Sequence, residues 1–211
     1  MNEISFYPGI CDYFERQLKL ALPNVKIASA IDGTLNNLIS QTSTKLQLSS
    51  TFSNQYIPKL KVDILFHFAQ DGEETLLLFE VKYSESLKLM NYSQLLGYLH
   101  VAKIIETGIL LLVPKPDTRS ILSNDFDEIL QMNSLPLKVK LTDDRVGGVD
   151  MSRISTGITE FSVGGTPAWY GSGAPEGIGS MEALADQVRN CLNPPLTLSK
   201  VAEHKGPPYG K

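Results

Sequence analysis

The segment from residue 61 to residue 83 constrains the fold more than any other part of the chain. Residues 61–68 alternate between two sets of side chains, one of them entirely apolar, which is typical of a β-strand with a buried face. Asp71 and Gly72 follow, a pair that favours the tight turn of a hairpin. Residues 76–83 then form an apolar run that Glu80 and Lys82 interrupt. The segment therefore predicts a hairpin whose second strand is the more buried.

The elements around this hairpin predict an α/β fold. Apolar spacing predicts further helices and strands, and Gly108 is taken as the end of the third helix because glycine often follows a helix. The predicted helices are at about 9–21, 33–41, 91–106 and 121–131, and the predicted strands at 25–29, 44–52, 109–113 and 137–141. The order of hairpin, helix and strand implies a sandwich with a central mixed β-sheet flanked by helices.

The composition changes after residue 143. Eleven of the sixteen glycines and six prolines follow this point. We therefore predict a core at residues 1–142 and a loop-rich, Gly/Pro-rich C-terminal extension at 143–211. One helix stands out in the extension, at about 180–192, with Ser180 as its cap.

Composition also bears on the class of protein. The apolar runs are far shorter than the roughly 20 residues of a membrane span, and the first residues do not resemble a secretory signal. We expect a cytoplasmic protein with no membrane partner. Cys11 and Cys191 are far apart and lack CxxC spacing, which argues against a zinc site or a disulfide framework. The net charge of -4 provides no global basic field, so a nucleic-acid binder would have to concentrate its positive charge in one cleft.

Three charged residues of the hairpin are candidates for a functional site. Period-two alternation places Glu80 and Lys82 on the same face of one strand, and Asp63 lies on its hairpin partner. Two carboxylates among leucine and phenylalanine side chains repel each other and lose hydration unless a cation or the lysine compensates. Oxygen ligands without a Cys or His pair suit Mg²⁺ or Mn²⁺ better than zinc.

These residues resemble the motif of the PD-(D/E)XK nuclease superfamily, in which a metal-binding Asp precedes an ExK triplet on the next strand and a helix follows. Asp63 and the Glu80-Val81-Lys82 triplet match this order, although Val62 stands where the motif has proline. Gln94 and Tyr98 on the next predicted helix resemble the QxxxY motif of RecB-like members. The resemblance covers about residues 10–113 and implies a restriction-endonuclease-like fold.

The resemblance also implies the ligands of a metal ion. Asp63, Glu80 and the backbone carbonyl of Val81 would bind Mg²⁺ or Mn²⁺. Members of the superfamily often add a glutamate from the first helix, and Glu15 is at the corresponding place in this sequence.

Three further residues have implied roles. Lys82 would orient or deprotonate the attacking water and stabilise the charge that grows on the phosphate. Gln94 would brace the site, and Tyr98 would contact a phosphate or stack on a base, unless it is only a packed aromatic residue.

The implied activity is hydrolysis of phosphodiester bonds, with DNA rather than RNA as the expected substrate and with a homodimer as an open alternative to a monomer. Two other hypotheses remain. One is a catalytically silent nuclease-like module that binds nucleic acid or serves assembly; the other is a metal-dependent hydrolase of small phosphate compounds. His67 could neighbour the metal or be a buried strand residue, and Trp169-Tyr170 could be a stacking platform or a small core.

Overall fold

The computed structural model describes residues 2–49, 52, 55–116, 118–131, 155–162, 164–170 and 177–193. A 3₁₀ helix, Glu3–Phe6, comes first. The helices are α1 (Tyr7–Ala21), α2 (Leu35–Leu46), α3 (Leu89–Val101), α4 (Asn124–Gln131) and α5 (Met181–Leu192). The strands are β1 (Lys26–Thr34), β2 (Lys61–Gln70), β3 (Glu73–Ser84), β4 (Thr107–Pro114), β5 (Ser155–Glu160) and β6 (Ala168–Tyr170). Among these helices, none combines the length and the apolar character needed to cross a membrane.

All six strands belong to one mixed sheet, in which the spatial order β1-β2-β3-β4-β5-β6 follows the chain. The pairs β1–β2, β2–β3 and β5–β6 are antiparallel, whereas β3–β4 and β4–β5 are parallel. The predicted α/β architecture with a mixed sheet flanked by helices is therefore confirmed.

The predicted hairpin is confirmed in detail. Asp71 and Gly72 both have positive φ angles, 52° and 89°, as a two-residue type I′ turn requires. Gln70 lies opposite Glu73, and the antiparallel register continues as far as Ile64 opposite Phe79. The turn therefore determines which residues of β2 and β3 face each other.

The sheet has a core on each face. Residues of α1 and α5 share one buried cluster with Phe79, and residues of α2, α3 and α4 share the other with Leu78. Because β3 is covered on both sides, its sequence is a nearly continuous apolar run instead of a strict alternation.

Two predictions from the sequence are wrong: the strand at 44–52, which is no strand in its described residues, and the end of the third helix at Gly108. Residues 44–46 of the predicted strand 44–52 continue α2, whose buried residues recur at helical spacing until Leu46, and Gln47 ends the helix with φ of 57°. Gly108 does not end α3, which stops at Val101, but lies in β4. A Cβ at Gly108 would lie 2.9 Å from methyl carbons of Leu95 and Leu99, so this glycine allows α3 to pack closely on the sheet.

The other predicted helices and strands of the core overlap with described elements, although Gly33 and Thr34 of the predicted second helix belong to β1. The predicted strand at 137–141 lies outside the described residues. The C-terminal extension contains more structure than predicted. Ser180 caps α5 as expected, since its side chain accepts a hydrogen bond from the Ala183 N–H. However, β5 and β6 extend the same sheet, and α5 packs into the cluster that contains α1. Because β5 and β6 are short and lie among glycines, the sequence shows no clear alternation that would predict them.

Candidate functional site

Asp63 lies where β2 and β3 separate. Backbone pairing between the two strands ends at Ile64 and Phe79. Beyond this pair, the side chain of Asp63 makes the contact with β3. Asp63 Oδ2 accepts a hydrogen bond from the Val81 N–H at 2.8 Å. The carboxylate therefore satisfies a backbone donor of β3 and lies beside the residue that separates Glu80 from Lys82.

Glu80 and Lys82 form an ion pair at this point. Lys82 Nζ donates to Glu80 Oε1 at 2.5 Å, and the side chains are 21% and 2% exposed, respectively. The carboxylate is thus buried, whereas the ammonium reaches the edge of the site. The structure brings Asp63, Glu80 and Lys82 together, as their spacing along the hairpin predicts.

Burial and neighbouring charges shift the pKa values of all three groups. Burial, with the charge of Asp63 as the second cause, raises the pKa of Glu80 to about 7 against the opposing effect of Lys82. Burial also raises the pKa of Asp63, although hydrogen bonds from Val81 and Tyr7 oppose it. Burial alone would lower the pKa of Lys82, but the hydrogen bond and charge of Glu80 prevail and raise it. Lys82 therefore remains an ammonium group at neutral pH.

We expect the metal-free protein to lose stability between pH 4.5 and pH 7 because of Glu80. The unfolded chain releases this proton near 4.5, whereas the folded protein keeps it until about 7. The stabilisation, about 3 kcal/mol, is therefore complete below pH 4.5 and disappears as the pH rises through 7. Urea unfolding with a chelator present measures this slope, with Glu80→Gln as the control that lacks it. Equal slopes for both proteins would contradict the assignment.

Glu3 and Tyr7 border the site, and sequence reasoning did not find them. Glu3 Oε2 accepts the Tyr83 N–H at 2.8 Å, and Glu3 Oε1 accepts the Tyr7 hydroxyl at 3.2 Å. The Tyr7 hydroxyl also lies close enough to Asp63 for each group to shift the pKa of the other. Burial and the charge of Asp63 raise the pKa of Tyr7, so it remains a neutral phenol. Glu3 and Tyr83 are far apart in the chain, and no sequence motif connects them.

Glu15 does not join this group, contrary to the prediction. Its carboxylate bonds to Lys19 Nζ at 2.6 Å and to Ser29 Oγ on β1 at 3.2 Å. Glu15 is eight positions after Tyr7 on α1, which corresponds to about 12 Å along the helix axis. In the N-terminal elements, Glu3 and not Glu15 places a carboxylate near Asp63.

Gln94 and Tyr98 bond to each other. Gln94 is exposed on α3, and its Nε2 donates to the Tyr98 hydroxyl at 2.7 Å. In the part of the chain that the structure describes, neither residue forms a hydrogen bond with Glu80 or Lys82. The expected bracing of the site by Gln94 is therefore absent, because α3 turns this side chain towards solvent. Tyr98 is half-buried against the core of that face.

The side chains at this position fit a magnesium site in which the protein supplies few of the ligands. Within the described ranges, no group of three or more His, Cys, Asp or Glu side chains is arranged to hold a metal ion. Asp63 and Glu80 offer two carboxylates, and their crowding is the kind that a cation relieves. Mg²⁺ is commonly bound by one or two carboxylates and completes its shell with water and substrate phosphate.

Comparisons with protein-family models, curated proteins and solved structures gave no significant match. The resemblance to PD-(D/E)XK nucleases therefore depends on the residues of the hairpin and on their geometry.

His67 belongs to a separate, structural group. It is fully buried, with Nδ1 at 3.1 Å from Thr42 Oγ1 and Nε2 at 2.8 Å from Glu74 Oε2. Burial lowers its pKa despite the opposing effect of Glu74. Both ring nitrogens are occupied by protein partners, so the buried-strand interpretation describes this residue.

The remaining candidates from the sequence also have packing partners. Trp169 packs edge-on against Phe14, with ring centroids 6.4 Å apart, and the Tyr170 hydroxyl donates to Asp127. Cys11 and Cys191 are free thiols, and burial raises their pKa values to about 11 and about 12. These cysteines are therefore poor nucleophiles at neutral pH.

Proposed function

We propose that this chain is a metal-dependent nuclease of the PD-(D/E)XK type that hydrolyses phosphodiester bonds of DNA. The observation that carries the proposal is the contact of Asp63 with the Val81 N–H, between Glu80 and its ion-pair partner Lys82. A silent protein would have no physical need for this cluster, because apolar residues of similar volume are often neutral or stabilising in place of buried charges.

The fold supports the same proposal. The strand with Asp63 pairs antiparallel with the strand that carries Glu80 and Lys82, and α3 and β4 follow in the chain. This is the order of elements that the resemblance implies for a restriction-endonuclease-like sandwich.

Asp63 and Glu80 would hold Mg²⁺ or Mn²⁺, with the carbonyl of Val81 as a further proposed ligand. A divalent cation bound here supplies a water of lowered pKa and neutralises charge on the scissile phosphate. Both carboxylates must be ionised for this, and Glu80 loses its proton near pH 7. Metal binding should therefore strengthen as the pH rises through neutrality.

Lys82 would orient the attacking water and stabilise the negative charge of the transition state. Its raised pKa keeps it protonated, so it can donate hydrogen bonds but cannot accept a proton from the water. Of the two roles that the resemblance implies for this lysine, the electrostatic one therefore agrees with its surroundings.

Positive charge near the site could hold the substrate despite the acidic composition. Lys115 follows β4, and its Nζ lies 5.7 Å from the centroid of the Tyr83 ring, one residue beyond Lys82 in the sequence of β3. Lys82 and Lys115 together would contact neighbouring phosphates.

The test is cleavage of linear and circular DNA by the purified chain with Mg²⁺, Mn²⁺ or a chelator. We expect metal-dependent cleavage that Asp63→Asn abolishes, because the variant removes a charged ligand. Asp71→Asn is the matched control, since asparagine fits the same turn of the same hairpin. Cleavage of the circular form would indicate an endonuclease.

The outcomes distinguish the three hypotheses. Neither cleavage nor Mn²⁺ binding by the unaltered protein would sink the nuclease proposal and favour a silent binding module. Hydrolysis of a small phosphodiester but not of DNA, without the steep salt dependence of polymer binding, would favour the small-substrate hydrolase.

A further inference from the structure

The edge of β3 beyond Phe79 is occupied by carboxylates. Asp63 accepts the N–H of Val81 at 2.8 Å, and Glu3 accepts the N–H of Tyr83 at 2.8 Å. Backbone donors two residues apart point to the same edge of a strand. Two side chains, one from β2 and one from the N-terminal 3₁₀ helix, thus continue the hydrogen bonding where the β2 backbone leaves β3.

Tyr7 lies beside both carboxylates. Its hydroxyl donates to Glu3 Oε1 at 3.2 Å and lies near Asp63, so that the hydroxyl and the Asp63 carboxyl shift each other's pKa. The residue is only 2% exposed, so the packing of α1 determines where the hydroxyl lies. A hydroxyl has one proton, which it can donate to one carboxylate at a time. In this structure that carboxylate is Glu3, so one buried hydroxyl is held by Glu3 and lies beside Asp63.

We propose that Glu3 and Tyr7 are positioning residues of the site, which hold Asp63 and the edge of β3 in the geometry required to bind the cation. Each oxygen of Glu3 accepts a hydrogen bond from the protein, so Glu3 acts through Tyr83 and Tyr7 rather than as a ligand. Groups that orient a ligating carboxylate commonly affect metal binding almost as strongly as the ligands. This inference rests on the proposed metal-dependent function.

The first experiment compares Mn²⁺ binding of the full chain with that of Tyr7→Phe by isothermal titration calorimetry. We expect about 10- to 100-fold weaker binding, because Glu3 loses its bond from the hydroxyl and Asp63 loses the polar group beside it. Tyr13→Phe is the matched control, since Tyr13 is also on α1 but packs against Phe14 and Phe161 instead of a carboxylate. Unchanged binding by Tyr7→Phe would overturn the inference while leaving the nuclease proposal intact.

The second experiment measures amide hydrogen exchange without metal. Glu3→Ala should accelerate exchange of the Tyr83 N–H about tenfold or more, because a hydrogen bond to a charged group is lost. Glu15→Ala should leave it unchanged, as this carboxylate lies elsewhere. If the Tyr83 N–H exchanges as slowly in Glu3→Ala as in the unaltered protein, Glu3 does not hold the edge of β3. If the unaltered chain does not bind Mn²⁺, the proposed function is overturned as well. If the unaltered chain binds Mn²⁺ and Tyr7→Phe binds it with the same affinity, only the present inference is overturned.

Discussion

Replacement of Lys82 by methionine should lower the rate of DNA cleavage about 10²- to 10³-fold at saturating Mg²⁺, because one preorganised donor to the transition state is lost. Methionine keeps the unbranched side chain but carries no charge. Lys82 is 21% exposed and its Nζ contacts Glu80, so the substitution leaves the apolar core intact. Single-turnover cleavage of a labelled duplex measures the effect on the chemical step.

Lys82→Arg separates the two roles of this residue. Arginine keeps the charge but is never deprotonated, so it should retain more activity than methionine if the lysine acts electrostatically. An arginine variant as inactive as the methionine variant would instead favour proton abstraction. Lys103→Met is the control at an exposed lysine after α3 and should cleave normally. Full activity of Lys82→Met would remove Lys82 from the mechanism.

Phe79→Ala should lower the free energy of unfolding by about 3–5 kcal/mol, as truncation of a buried phenylalanine leaves a cavity. Phe79 is fully buried at the last pair of the β2–β3 ladder, and its ring centroid lies 4.7 Å from that of Phe14 and 5.4 Å from that of Phe66. Its loss removes contacts between the sheet and α1 next to Glu80. Urea denaturation monitored by circular dichroism measures the change.

Leu20→Ala is the matched control for this prediction. Leu20 is on α1 but 74% exposed, and substitutions at such positions usually change stability by less than about 0.5 kcal/mol. A loss of less than about 1 kcal/mol in Phe79→Ala would mean that the core next to the site is not packed as described.

The sequence by itself determined the features that depend on neighbouring residues. The Asp71-Gly72 turn and the pattern of the two strands around it place Asp63 on one strand and Glu80 with Lys82 on the next. These constraints are local, since a turn sets the register and period-two geometry sets the face of each side chain. The hairpin and the three residues at its open end were therefore predictable.

Only the tertiary structure decided which distant residues complete the site. Glu3, on the 3₁₀ helix that leads into α1, reaches Tyr83, whereas Glu15 on α1 bonds to Ser29. In the same way, β5 joins the sheet beside β4 although its six residues show no strong strand pattern. Such contacts depend on how packed helices and strands meet, and burial of apolar surface, which drives that packing, is not directional. For this reason, local patterns in the chain identified Asp63, Glu80 and Lys82 but not Glu3 and Tyr7 beside them.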